Sequence, residues 1–116
     1  MPDKLRIALE RRADGVAVAR FTGRLDFTSA PEARDQFATA IAAGQRKLIV
    51  DLSKVGFVDS AGLGSLIGGM RAARLAGGDL RIANPSEQVT MLLSLTSLDQ
   101  VIAVDPTVER ALDGFA

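Results

Sequence analysis

At 116 residues, 47% of them apolar, the chain is long enough to build one hydrophobic core and too apolar to stay disordered. Fourteen Lys and Arg offset fourteen Asp and Glu, so no overall field draws it to nucleic acid or to an anionic membrane. With no cysteine and no histidine, disulfides, thiol and imidazole catalysis and the metal sites built on either side chain are excluded.

Tyrosine and tryptophan are missing too, and five phenylalanines are poor equipment for stacking on bases or anchoring an interface. The opening MPDKLRIALERR has no apolar signal-peptide core, and no stretch approaches membrane-spanning length, so a cytoplasmic protein without direct membrane contact is expected.

Leu5, Ile7 and Leu9 alternate with Lys4, Arg6 and Glu10, a period of two that predicts a half-exposed strand with a charged face suited to a sheet edge. Ala13-Asp14-Gly15 is a hairpin turn signal, and Val16 to Phe21 follows as a second strand, so these two are expected to pair antiparallel. Thr22 to Thr28 reads as a loop. A helix is expected from about Ser29, because Ser29 and Glu32 have the capping-box spacing and Pro31 falls in the first turn. Ala33, Phe37, Ala40 and Ile41 form its apolar stripe, and Gly44 is a natural stop.

Leu48-Ile49-Val50 then runs into Asp51-Leu52, an apolar stretch suited to a central strand covered on both faces. A link containing Gly56 leads to Phe57-Val58-Asp59-Ser60. Beyond it a helix of small residues places Leu63, Leu66, Ile67 and Met70 on one face, and either Asp59 or Ser60 is an ordinary cap for it. A buried strand that delivers a serine to a helix start presents a hydroxyl where unpaired N–H groups favour an anion. Gly62, Gly64, Gly68 and Gly69 sit inside this helix, each costing roughly 1 kcal/mol relative to alanine. Close packing on the helix's own sheet, or close approach by a partner's backbone, would offset that loss. Arg71 and Arg74 complement the dipole at the far end, which reads as a solvated terminus.

Leu80 to Ala83 is a short buried strand, and Asn84-Pro85-Ser86-Glu87 restarts a helix with Val89, Leu92, Leu93 and Thr96 on its apolar side. Val101 to Val104 is a last strand. Asp105-Pro106 opens a final helix in which Val108, Ala111, Leu112 and Phe115 can dock. The order defines an α/β domain over residues 1–116: a mixed five-stranded sheet, its first two strands antiparallel, with four helices.

Most enzyme chemistry fails on residue types. Gly64-Ser65 lacks the lysine of a phosphate-binding loop, and Gly62-Leu63-Gly64 leads to Ile67 where a dinucleotide fingerprint needs glycine. A Ser60 hydrolase would need a glycine-flanked elbow and a histidine. Asp26 and Asp59 are available carboxylates, but spacing alone does not set them at a glycosidase separation. No catalytic residue, cofactor or metal is expected.

VDSAGLGSLI after an apolar strand, GRLDFTSAPEAR upstream and LRIANPSEQVTMLLSLTSLDQVIAV downstream together resemble a STAS domain, over Leu5 to Phe115. More narrowly, the chain is similar to the single-domain bacterial anti-sigma factor antagonists. That resemblance implies a switch. The serine matching Ser60 is phosphorylated by a partner anti-sigma factor, a serine kinase of the histidine-kinase ATPase type. The unphosphorylated form binds that kinase and frees its sigma factor, and a PP2C-type phosphatase restores the serine. Asp59 matches the acidic neighbour of the phosphorylated residue and Asp26 the acidic residue before the first helix. Many relatives carry a second hydroxyl where this chain has Ala61, which leaves Ser60 as the candidate within the motif; Ser65 lies more than a turn beyond it. The resemblance places the docking surface at Asp26, Asp59, Ser60, Ala61, Gly62, Leu63 and Gly64. It also admits an accessory subunit of a membrane transport complex, a scaffold subunit of a stress-sensing assembly, or a nucleotide-binding module, although no phosphate cradle is visible.

Overall fold

An antiparallel hairpin starts the sheet. The computed structural model describes residues 4–115; Met1 to Asp3 and Ala116, at the ends of the expected domain, lie outside the described residues. Strand β1 (Arg6–Arg11) pairs with β2 (Val16–Leu25) from Arg6 opposite Thr22 to Arg11 opposite Ala17. Asp14 and Gly15 both take positive φ in the turn between them, as a tight hairpin of right-handed twist requires. Helix α1 (Ala30–Ala42), β3 (Lys47–Val58), α2 (Ser60–Leu75), β4 (Asp79–Ala83), α3 (Glu87–Leu95), β5 (Ala103–Asp105) and α4 (Val108–Asp113) follow. The sheet order is β1-β2-β3-β4-β5, and every pair after the first is parallel. The α/β architecture of five mixed strands and four α-helices is the expected one, with β1 at the edge and β3 in the middle.

Strand alternation divides the core in two. Ala17, Ala19 and Phe21 of β2, Leu48, Val50 and Leu52 of β3, and Leu80 and Ile82 of β4 face α1, α2 and α3. Ala33, Phe37 and Ala40 of α1, Leu63, Leu66 and Met70 of α2, and Val89 and Leu93 of α3 close this larger core. On the other face Val16, Val18, Ile49 and Ala83 meet Val108 and Ala111 of the short α4, with Leu112 and Phe115 packed beside them. The α1, α2 and α4 stripes expected from the spacing are the ones that dock. Thr96 does not join the α3 stripe; it is exposed and its hydroxyl bonds back to the Leu92 carbonyl.

Four further expectations are corrected. β2 runs on to Leu25, where a loop over Thr22 to Thr28 was expected, because Thr22 to Leu25 pairs with Lys54 to Val58 across two register shifts. β3 accordingly runs unbroken through Gly56 to Val58. Ser29 makes no capping box: its hydroxyl donates to the Arg24 carbonyl and accepts from the Asp26 N–H, so it serves the loop instead of the helix. The last strand is Ala103–Asp105, with Val101 held in a turn by its N–H bond to the Leu98 carbonyl.

Candidate functional site at the start of the second helix

The long strand β3 ends at Val58, whose side chain is fully buried. The Gln88 side chain pairs with its backbone on the open side, accepting from Val58 N at 3.1 Å and donating to Val58 O at 2.7 Å. Asp59 then breaks to an extended conformation and caps α2, its Oδ1 accepting from Gly62 N at 2.8 Å. Of the two candidate caps, the aspartate is the one that serves, which leaves the Ser60 side chain free of that duty. Ser60 is the first residue of the helix and is exposed. The N–H groups of Ser60 and Ala61, in the first turn, have no carbonyl one turn back to bond.

Asp59 reaches outward as well. Its Oδ2 accepts the N–H of Phe27 at 3.0 Å, and its own N–H donates to the Leu25 carbonyl at 3.3 Å, so the end of β2 and the following loop are tied to the helix start. In that loop Asp26 Oδ1 accepts from the N–H and hydroxyl of Thr28, and its Oδ2 lies 3.5 Å from Arg24 Nε. The Thr28 hydroxyl, with the Thr28 N–H and Arg24 behind it, outweighs desolvation and holds the Asp26 carboxyl below the usual carboxylate range. The Arg24 guanidinium lies over the Phe57 ring, 4.5 Å from its centre. Two aspartates from separate segments are thus brought to one helix start.

The seven residues expected at the docking surface separate by exposure. Ser60 and Gly64 are exposed, while Asp26, Asp59 and Ala61 are half-buried. Gly62 and Leu63 are buried. A Cβ on Gly62 would lie 2.0 Å from the Leu25 carbonyl oxygen, so this glycine answers to packing within the chain, as does Gly69 against Phe37 and Leu80. A Cβ on Gly64 would approach only the Arg34 guanidinium, at 3.9 Å, and on Gly68 it would meet nothing. Ser65 is sealed: it is fully buried, and its hydroxyl donates to the Gly62 carbonyl at 2.6 Å.

Two contributors escaped the sequence. Phe27, in the polar loop DFT, stands 72% exposed beside the Asp59 carboxylate. An aromatic residue stranded between polar neighbours was the available signal. Nothing in the sequence marked Gln88, whose side chain imitates a neighbouring strand. Among the described residues, no cluster of Asp and Glu is arranged to hold a metal ion, and no helix is long and apolar enough to cross a membrane.

The STAS domain model matches residues 9–111, nearly the whole described chain. The chain belongs to the STAS domain family. This STAS domain is 32% identical to the anti-sigma-B factor antagonist of Bacillus subtilis over 82 residues, 71% of this chain and 74% of that protein. Relatives from Thermotoga that bear anti-sigma factor antagonist names are 31% identical over 70 residues, and the chain spans 62% of their length. Its fold superposes on the crystal structure of an anti-sigma factor antagonist from Mycobacterium paratuberculosis with a TM-score of 0.87, at 27% identity, covering 99% of this chain and 97% of that one. SpoIIAA of Bacillus, an anti-sigma factor antagonist, matches in its unphosphorylated form with a TM-score of 0.79 at 29% identity, covering 93% and 94%. It matches in its phosphorylated form at 0.75 and 26%, covering 96% and 100%.

Proposed function

We propose that this STAS domain is an anti-sigma factor antagonist that works by partner switching, with Ser60 as the switched residue. The unphosphorylated form docks on an anti-sigma factor that is itself a serine kinase and frees the sigma factor. That kinase transfers the γ-phosphoryl of ATP to Ser60 Oγ; the bond to ADP breaks and the hydroxyl proton leaves. A PP2C-type phosphatase returns the serine. The domain is a binding partner and not an enzyme, and it acts in the cytoplasm.

The observation that carries this reading is the contrast between two serines of one helix, Ser60 exposed at its first position and Ser65 sealed beneath it. The names borne by the relatives supply the class of partner. Physical chemistry supplies the switch. A phosphate on Ser60 adds about −1.5 to −2 charge at neutral pH. The helix tolerates it, since its first N–H groups and dipole face an anion. A partner covering the same spot must desolvate that dianion beside Asp59 and Asp26, which is costly. Gly64 and Ala61 leave room for the partner's backbone, and buried Gly62 and Leu63 support the surface from below.

Incubation with an anti-sigma factor serine kinase and ATP, followed by mass spectrometry, should place a single phosphate on Ser60. Ser60→Ala should keep kinase binding and lose the phosphate. Ser60→Asp should weaken binding about tenfold or more, ~1.4 kcal/mol. A phosphate on another residue, or both variants binding like the wild type, would end this reading.

A further inference from the structure

We propose that Phe27 is the apolar anchor of the docking surface, held in position by Asp59 and inserted into a cleft of the anti-sigma factor that is apolar within and cationic at its rim. This rests on the reading of the Ser60 surface as the docking site. Of the five phenylalanines, Phe21 and Phe37 stack on each other in the core, with ring centres 5.9 Å apart. Phe57 lies under Arg24, and Phe115 packs against the α4 core near Arg81. Only Phe27 presents a bare ring among the described residues, and its backbone is bonded to Asp59, the residue before the serine that carries the switch. A single exposed apolar residue is ordinary on a protein surface. This one is set apart by the rigidity of its support.

The backbone on both sides of the ring is fixed. Phe27 N donates to Asp59 Oδ2, Thr28 N donates to Asp26 Oδ1, and both Ser29 N and Ala30 N donate to the Asp26 carbonyl. With the backbone held by so many bonds, Phe27 gives up little main-chain freedom on binding and has only two side-chain torsions left to order, so its buried area is converted more fully into affinity. Aromatic anchors in pockets dominate interface energies, which fits a chain that otherwise offers few of them. The two carboxylates that hold this backbone, Asp59 at the Phe27 N–H and Asp26 at the Thr28 N–H, set the chemistry of the cleft: Lys or Arg at the rim would pair with them. Asp59 also joins the anchor to the switch, because a phosphate on Ser60 would crowd the carboxylate that holds Phe27.

The test measures binding of the kinase that phosphorylates Ser60 to wild type, Phe27→Ala, Phe27→Leu and Leu75→Ala. Leu75 is the control: it is 90% exposed at the other end of α2, about 24 Å along the helix by its rise of 1.5 Å per residue. Phe27→Ala should weaken binding at least about tenfold, Phe27→Leu should recover part of the loss, and Leu75→Ala should bind like wild type. Protection of the residue 27 amide from hydrogen exchange should persist in Phe27→Ala, showing that the loop is intact. Undiminished binding by Phe27→Ala, or an equal loss in Leu75→Ala, overturns the anchor while leaving Ser60 as the switch. A wild type that binds no such kinase overturns the docking reading and the anchor with it.

Discussion

Asp59 does two jobs with one carboxylate, and that economy fixes where Ser60 stands. One oxygen closes the first turn of α2 and the other fastens the Phe27 loop, so the serine beside it is neither cap nor tether. The glycines of the same helix separate just as sharply into those that the fold needs and those it does not. Gly62→Ala forces a Cβ to 2.0 Å from a backbone carbonyl that cannot swing aside, and α2 would have to lift from Leu25. Gly68→Ala meets no atom and gains helix propensity. In urea denaturation Gly62→Ala should therefore lose several kcal/mol, as overpacking against a rigid neighbour does at its worst (~3 kcal/mol). Gly68→Ala should gain up to about 1 kcal/mol. A neutral Gly62→Ala would mean that the helix start yields easily, at odds with a rigidly presented serine.

At the level of elements, the site depends on how β3 ends. From Lys47 to Asp51 the strand has β2 on one side and β4 on the other, but Leu52 to Val58 is paired with β2 alone. Gln88 from α3 fills the vacant side at Val58 with one donor and one acceptor. Gln88→Glu keeps the size and the acceptor and loses the donor, setting a carboxylate against the Val58 carbonyl. It should cost about 1–2 kcal/mol and raise hydrogen exchange at the Val58 amide, without altering α1. The same strand end explains what could and could not be read from sequence. The apolar run Leu48 to Leu52, the hairpin at Asp14-Gly15 and the α2 stripe are local patterns, and each formed where its period placed it. Gly23 and Gly56 look like breakers in isolation. Parallel pairing with register shifts carries both through as strand, a long-range effect that no local window contains. Ser29 failed for a related reason: its spacing to Glu32 fits a cap, but the Arg24 carbonyl lies within reach and takes the hydroxyl. Asp59 and Ser60 were visible as a pair, whereas the assignment of cap to one and exposure to the other needed three dimensions.

Over the whole molecule, α1, α2 and α3 cover one sheet face while α4, a six-residue helix, leaves much of the other bare. Polar side chains bridge the uncovered strands in its place. Glu10 on β1 meets Arg20 on β2 at 3.2 Å, Arg20 meets Asp51 on β3 at 3.0 Å, and Asn84 after β4 donates to the same carboxylate at 2.9 Å. Asp51 is 6% exposed. Burial by itself would raise its pKa; bonds from the Asn84 amide, the Ser53 N–H and Arg20 outweigh that and leave the carboxyl below its ordinary value. A depressed folded-state pKa favours the ionised fold, so the stabilisation is complete well above the unfolded value of about 3.9 and is lost as pH falls through the folded value beneath it. Stability should thus be level from pH 7 to about pH 5 and decline below about pH 4. Asp51→Asn removes the titrating group and strips Arg20 of one partner. Glu10 still holds that half-exposed arginine, so the loss at pH 7 should be about 1–3 kcal/mol. Between pH 5 and pH 2.5 the variant's urea midpoint should fall less than that of wild type. Parallel decline of the two curves would show that other carboxylates set the acid limit, and that the ladder across the bare face does not bind the sheet edge to its centre.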